Sequence, residues 1–159
     1  MRFIEDSRQK VEKHELKHQF WEENGDVFLR CKLPFGDYSL PPTVAIDTKE
    51  NMSEIANNMC GTTKEHIRFK NECILARDYG CQLIILVENT EGITCVDDVK
   101  HWLNPRRFIS PKAVDGNRLW KTMLTMSERY GVKFMFCKPE EAGAIITRIL
   151  EDEKDGRKK

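Results

Sequence analysis

The chain has 159 residues, enough for one domain that buries roughly two-thirds of its unfolded surface around a single core. Its 26 Lys and Arg balance its 26 Asp and Glu, which excludes a global basic field, so any contact with nucleic acid must come from local patches. The longest aliphatic run, Leu83 to Val87, is too short to span a bilayer, and the amino terminus is charged from Arg2 onward and lacks an apolar signal core, so no membrane role is expected.

Phe3 and Ile4 open the chain with a short strand, Arg2 to Asp6, that ends on two acids, and a helix is expected from about Arg8 to Glu22. That helix carries His14-Glu15-Leu16-Lys17-His18, a formal match to the His-Glu-x-x-His zinc protease motif. A spacing of four puts both histidines on one helix face, so a zinc pair is geometrically open. The longer metzincin pattern fails, because Trp21 stands where glycine is required and Asn24 where a third histidine should be. The competing reading has both histidines covering a partly solvated face beside Val11 and Trp21.

Asn24-Gly25-Asp26 is a turn, and Val27 to Leu33 reads as a second strand leading directly into the stretch Pro34 to Lys49, so that two adjacent strands carry the acids. Gly36 can supply the turn conformation that brings Asp37 back over the end of the next strand. Thr43, Val44, Ala45 and Ile46 suit that buried strand, and Asp47 and Lys49, two residues apart at its end, point to one face. Two carboxylates and a lysine make a site for hard cations and phosphate. Asp37 and Asp47 can hold Mg²⁺ while Lys49 faces the attacking water or the scissile phosphate, which implies metal-assisted phosphodiester hydrolysis.

Met52 to Met59 reads as a short helix with Glu54 near its start, followed by a longer helix at about Lys64 to Tyr79. Ile67, Phe69, Cys73, Ile74 and Ala76 give that helix its apolar surface, while Arg68 and Lys70 either reach a phosphate or stay solvated. Cys81 to Glu88 is a strand too continuously aliphatic to be exposed on one side, which implies a sheet covered by helices on both faces. A short helix around Val96 to Leu103 precedes Asn104-Pro105-Arg106-Arg107-Phe108, the expected substrate loop. There Trp102, Arg106, Arg107 and Phe108 combine cations for phosphate with rings on which an unpaired base can stack; alternatively, Trp102 and Phe108 anchor the loop into the core.

Leu119, Met123, Met126 and Tyr130 recur at helical spacing, so Asn117 to Tyr130 is a helix with a methionine-rich core face. Lys133 to Cys137 is the last strand, and Pro139 opens a helix whose Ala142, Ile145, Ile146 and Ile149 face inward. Residues 1–150 thus form the domain and 151–159 a polar carboxy-terminal tail. The six cysteines, at 31, 60, 73, 81, 95 and 137, include no Cys-x-x-Cys pair and read as reduced, buried thiols of a cytoplasmic protein.

Gly36-Asp37-Tyr38 followed by Asp47-Thr48-Lys49, in this order of elements, resembles the PD-(D/E)xK nucleases and, more narrowly, the nuclease domain of the XPF-type structure-specific endonucleases. Asp6-Ser7-Arg8, Arg68-Phe69, Leu83 to Glu88, Phe134-Met135-Phe136 and Pro139-Glu140-Glu141 extend the resemblance over about residues 2 to 150. It implies an α/β, restriction-endonuclease-like fold, with a mixed central β-sheet flanked by helices on both faces. The implied activity is a Mg²⁺- or Mn²⁺-dependent endodeoxyribonuclease acting on flaps, forks or other branched DNA. Asp37, Asp47 and Lys49 would be catalytic, with the metal on Asp37 and Asp47 and with Asp6 or Glu54 as a further carboxylate. DNA would be held by Arg8, Arg68, Trp102, Arg106 and Arg107.

The resemblance further implies a homodimer through the helices at 117–130 and 139–150, and a stand-alone domain of the kind expected in the cytoplasm of bacteria or phage-infected cells. Some residues depart from the family pattern. Asp47 replaces a glutamate, Thr48 replaces an arginine, Gln9 stands where the first helix often offers another acid, and Glu54 lies one place late. Thr48 is the hint for the alternative, a catalytically silent DNA-binding subunit of a nuclease heterodimer.

Overall fold

The aliphatic run Leu83 to Val87 is buried throughout, and its alternating side chains feed two separate cores. It belongs to strand β5 (Gln82–Glu88) of a computed structural model that describes residues 2–40, 43–61 and 63–156. The other strands are β1 (Arg2–Asp6), β2 (Val27–Cys31), β3 (Tyr38–Leu40), β4 (Val44–Lys49) and β6 (Lys133–Cys137). The helices are α1 (Glu15–Glu23), α2 (Met52–Cys60), α3 (Thr63–Asp78), α4 (Gly116–Tyr130) and α5 (Ala142–Gly156). The strands form one mixed sheet in the order β2-β1-β3-β4-β5-β6, with β3 antiparallel to both of its neighbours and the remaining pairs parallel.

Period-two alternation sends Ala45, Leu83, Ile85 and Val87 to one face, against Met52, Ile55 and Met59 of α2, Phe69 and Cys73 of α3, and Leu119 and Met123 of α4. Val44, Ile46, Ile84 and Leu86 go to the other face, against Trp21 of α1 and Ala142, Ile146 and Leu150 of α5. The sheet is therefore covered on both sides, as its central strand requires. Asp47 and Lys49 continue the alternation of Ala45, so the site lies on the α2-α3 face at the carboxyl end of β4.

The differences from the sequence reading are local, and most have a visible cause. The first helix starts at Glu15, not near Arg8, because Arg8 and Gln9 turn back to bond Asp6 and Asp37, leaving only a single 3₁₀ turn at Val11–Lys13 before α1. Strand β2 stops at Cys31 and pairs only with β1 at the sheet edge, so it is not beside β4; the acids come from β1, the turn before β3, and β4. The expected helix at Val96 to Leu103 is a 3₁₀ turn at Asp97–His101. Pro139 likewise opens a 3₁₀ turn that passes directly into α5. That helix runs to Gly156, so residues 151–156 of the expected tail are helical, whereas 157–159 lie outside the described residues.

Ile67 is half exposed, leaving Phe69, Cys73 and Ala76 as the buried stripe of α3. Cys73, Cys81 and Cys137 are buried, and burial pushes their thiols up to about 12, 11 and 12. Cys31 and Cys95 are exposed rather than buried.

Candidate active site

Gly36 places Asp37. Its φ of 71° lies in the left-handed region, and a Cβ there would sit 3.1 Å from Ala45 Cβ and 3.2 Å from the Ile46 carbonyl oxygen. Only glycine lets the turn pass this close to β4, where the Asp37 N–H donates to the Ile46 carbonyl at 2.6 Å. On the other side the Asp6 N–H donates to the Asp37 carbonyl at 2.7 Å, so the ends of β1, β3 and β4 are stitched side by side. Asp6, Asp37, Asp47 and Lys49 consequently line one cleft of about 420 Å³, together with Arg8, Gln9, Arg68 and Glu72.

Both oxygens of Asp37 are engaged. Oδ1 accepts from Gln9 Nε2, and Oδ2 accepts from the backbone N–H and the hydroxyl of Thr48, each at 2.6 Å. Burial and the negative charge of Asp47 nevertheless push the Asp37 carboxyl well above the usual range. Asp47 Oδ2 lies 2.6 Å from Lys49 Nζ but accepts no well-aligned hydrogen bond. Burial works against the charge of Lys49, yet Asp47 and Asp37 outweigh it and hold the ammonium above its ordinary range. The Lys49 Nζ is also backed by the Phe69 ring, 5.6 Å from its centroid.

Two members of the cleft that bond Asp37 or its turn, Glu72 and Gln9, were not singled out in the sequence as site residues. Glu72 accepts the Gly36 N–H at 2.7 Å, and its carboxyl is raised by burial and then by Asp47. The signal for it was present: Arg68, Asn71, Glu72 and Leu75 recur at helical spacing, and all line the cleft from α3. Gln9 is the other. Because its amide nitrogen is given to Asp37, its Oε1 must accept, and it receives His14 Nε2–H at 2.7 Å. The second ring nitrogen of His14 then accepts from the Tyr38 hydroxyl at 2.8 Å. The ring stays neutral, with burial lowering its pKa to about 4.

This network also accounts for the apparent zinc motif. His14 and His18 do stack on one face, ring centroids 6.4 Å apart, but His14 is buried rather than partly solvated, and His18 Nε2 lies 2.7 Å from Glu5 Oε1. Among the described residues no three His, Cys, Asp or Glu side chains are grouped to hold a metal.

The other residues expected to act fall in different places. Asp6 lines the cleft but is tied to Arg8 Nε at 2.7 Å, and Arg8 also reaches the Leu33 carbonyl at 2.7 Å. Arg68 is exposed on the rim. Glu54 does not line the cleft and accepts the Glu50 N–H at 2.8 Å in the first turn of α2. Trp102 is buried with its indole N–H on Glu91, so it anchors its loop and offers no face for stacking. Arg106 bonds Asn57 at 2.6 Å and Arg107 pairs with Asp115 at 3.2 Å, and neither lines the cleft.

For a divalent cation, the fit rests on Asp37 and Asp47: two buried hard-oxygen donors that repel each other, one with an oxygen lacking a well-aligned hydrogen bond. An ion there would be held by that pair, since no metal-holding group of three His, Cys, Asp or Glu side chains is found among the described residues.

Neither the protein-family models nor the curated proteins include a match to this chain. Among solved structures it is similar to XPF from Aeropyrum pernix in complex with DNA, with a TM-score of 0.68 and 18% identity over 98% of this chain and 66% of that one. It is also similar to XPF from Aeropyrum pernix, with a TM-score of 0.64 and 17% identity over 96% of this chain and 61% of that one. The chain has the XPF fold and spans about two thirds or less of these two chains.

Proposed function

We propose that the chain is a divalent-cation-dependent DNA endonuclease whose reacting centre is Asp37, Asp47 and Lys49. The observation that carries this reading is the burial of Asp37 and Asp47 in one open cleft, close enough that the charge of Asp47 raises the Asp37 carboxyl. Two carboxylates so placed repel, and a cation held between them removes that repulsion. The likeness to a structure of XPF in complex with DNA supports DNA as the polymer.

Asp37 and Asp47 would hold Mg²⁺ or Mn²⁺, which when bound would lower the pKa of a water and offset charge on the phosphate. Gln9 and Thr48 fix the Asp37 carboxylate, so its oxygens need little reorganisation when DNA arrives. Lys49, a compact charge held between Asp47 and the Phe69 ring, orients the attacking water or the phosphate. Arg8 and Arg68, on the rim, take flanking phosphates, and Asp6 holds Arg8 in place. Branched DNA as the preferred substrate and a homodimer through α4 and α5 belong to the same reading.

The test is cleavage of end-labelled duplex, single-stranded, 3′-flap and fork DNA with Mg²⁺ or Mn²⁺, comparing the wild type with Asp47→Asn. Metal-dependent cutting near the junction that Asp47→Asn abolishes is expected. Equal cutting by both proteins would overturn the assignment.

One observation favours a second reading, a catalytically silent DNA-binding subunit: both Asp37 oxygens already have protein partners. Fork binding by both proteins with cleavage by neither would select it.

A further inference from the structure

The loop after β5 carries an apolar tip that the other described residues leave uncovered. Leu103, Phe108 and Ile109 are 82%, 90% and 89% exposed, whereas among the other Phe, Tyr and Trp rings of the described residues only Tyr79 is exposed. The tip is held in place. Trp102 is buried beneath it, and Asn104, also buried, accepts the Arg106 N–H at 3.0 Å and donates to the Val114 carbonyl at 2.7 Å, fixing the 3₁₀ turn Pro105–Phe108. A ring presented on an anchored turn loses little conformational freedom on binding, so its exposure is available for contact.

The charge around the tip points to the partner. Residues 100–112 contain four Lys or Arg and no Asp or Glu, in a chain whose net charge is zero. Arg106 reaches across to Asn57 of α2, forming a groove whose lining includes Lys112 and, from α3, Glu65. Glu65 is one turn before Arg68, which lines the candidate active-site cleft, so the two sites are about 5 Å apart along α3.

We infer that Phe108 and Ile109 form a stacking wedge for the unpaired bases of a DNA strand whose backbone runs past Arg106 and Lys112 towards the cleft. The inference rests on the nuclease reading and adds where the single strand lies. Every base has a face for an aromatic ring, and a phosphate can approach Arg106, whose protein partner is the neutral amide of Asn57, and Lys112, whereas Arg107 already has Asp115 as its counter-charge. Of the two rings expected to stack, Phe108 stays exposed and Trp102 serves instead as the wedge's foundation.

The experiment measures binding to a fork with 2-aminopurine in its unpaired strand and to the fully paired duplex, both in EDTA so that no hydrolysis is needed. Wild type, Asp47→Asn and the double variant Phe108→Ser/Ile109→Ser are compared. The double variant should lower the ratio of fork to duplex affinity about tenfold and lose the 2-aminopurine fluorescence change that the wild type shows. Both substituted side chains are almost fully solvated, so the fold does not depend on them. An unchanged ratio overturns the wedge even if Asp47→Asn has lost cutting, whereas cutting retained by Asp47→Asn counts against the active site alone. A wild-type dimer that the double variant disperses in sedimentation would also overturn it, by assigning the tip to a second copy of the chain.

Discussion

Thr48 donates its backbone N–H and its hydroxyl to the same oxygen of Asp37, each at 2.6 Å. Burial and the charge of Asp47 push the Asp37 carboxyl up, and these two bonds pull it back towards ionisation. Thr48 is thus built into the surroundings of Asp37. Thr48→Val removes one donor, so the carboxyl rises further. The acid limb of the pH–rate profile should then move to higher pH, and the rate near neutrality should fall about tenfold. A profile that keeps its acid limb would separate Asp37 ionisation from catalysis.

Gln9 occupies the position from which a third carboxylate would meet Asp37. Gln9→Glu should lower the melting temperature in EDTA, because three acids then converge, and bind Mn²⁺ about tenfold more tightly by adding a charged hard ligand. Calorimetric titration of the metal checks this. Wild-type affinity in the variant would mean that the Gln9 side chain does not face the ion.

Glu72 should cost stability at neutral pH. Burial and Asp47 raise its folded-state carboxyl above the unfolded value. Its contribution is therefore fully present below the unfolded value and is lost as the pH rises through the folded one. Glu72→Gln keeps an acceptor for the Gly36 N–H without the charge. Its melting temperature in EDTA should exceed the wild type's at about pH 8 and lose that advantage at about pH 4. A gain that does not vary with pH would point to packing instead.

Behind the sheet, Lys17 of α1 and Glu88 at the end of β5 form an ion pair with side chains 3% and 10% exposed. Burial raises the Glu88 carboxyl, and Lys17 opposes that rise. Lys17→Met strands the acid and should cost about 3–5 kcal/mol in urea unfolding, while adding Glu88→Leu should recover most of it. Equal losses in the single and double variants would mean that the lysine stem, not the charge, matters.

What the sequence determined by itself is what short range decides. Pleat alternation puts Asp47 and Lys49 on one face, Gly36 is free to turn Asp37 back, and an unbroken aliphatic β5 demands cover on both sides; each follows from residues within a few positions of one another. What only the tertiary structure decided is who else reaches the cleft. Gln9 meets Asp37 across 28 positions and Glu72 meets Gly36 across 36; helical spacing puts Glu72 on the Arg68 face of α3, but no local period says that this face meets Gly36. The same long-range bonds hold back the start of α1, and sheet order sends β2 to the edge away from β4. For the loop after β5, composition named rings and cations, but packing chose which ring is spent inside: Trp102 went in, and Phe108 stayed in water because its turn is pinned from beneath by Asn104.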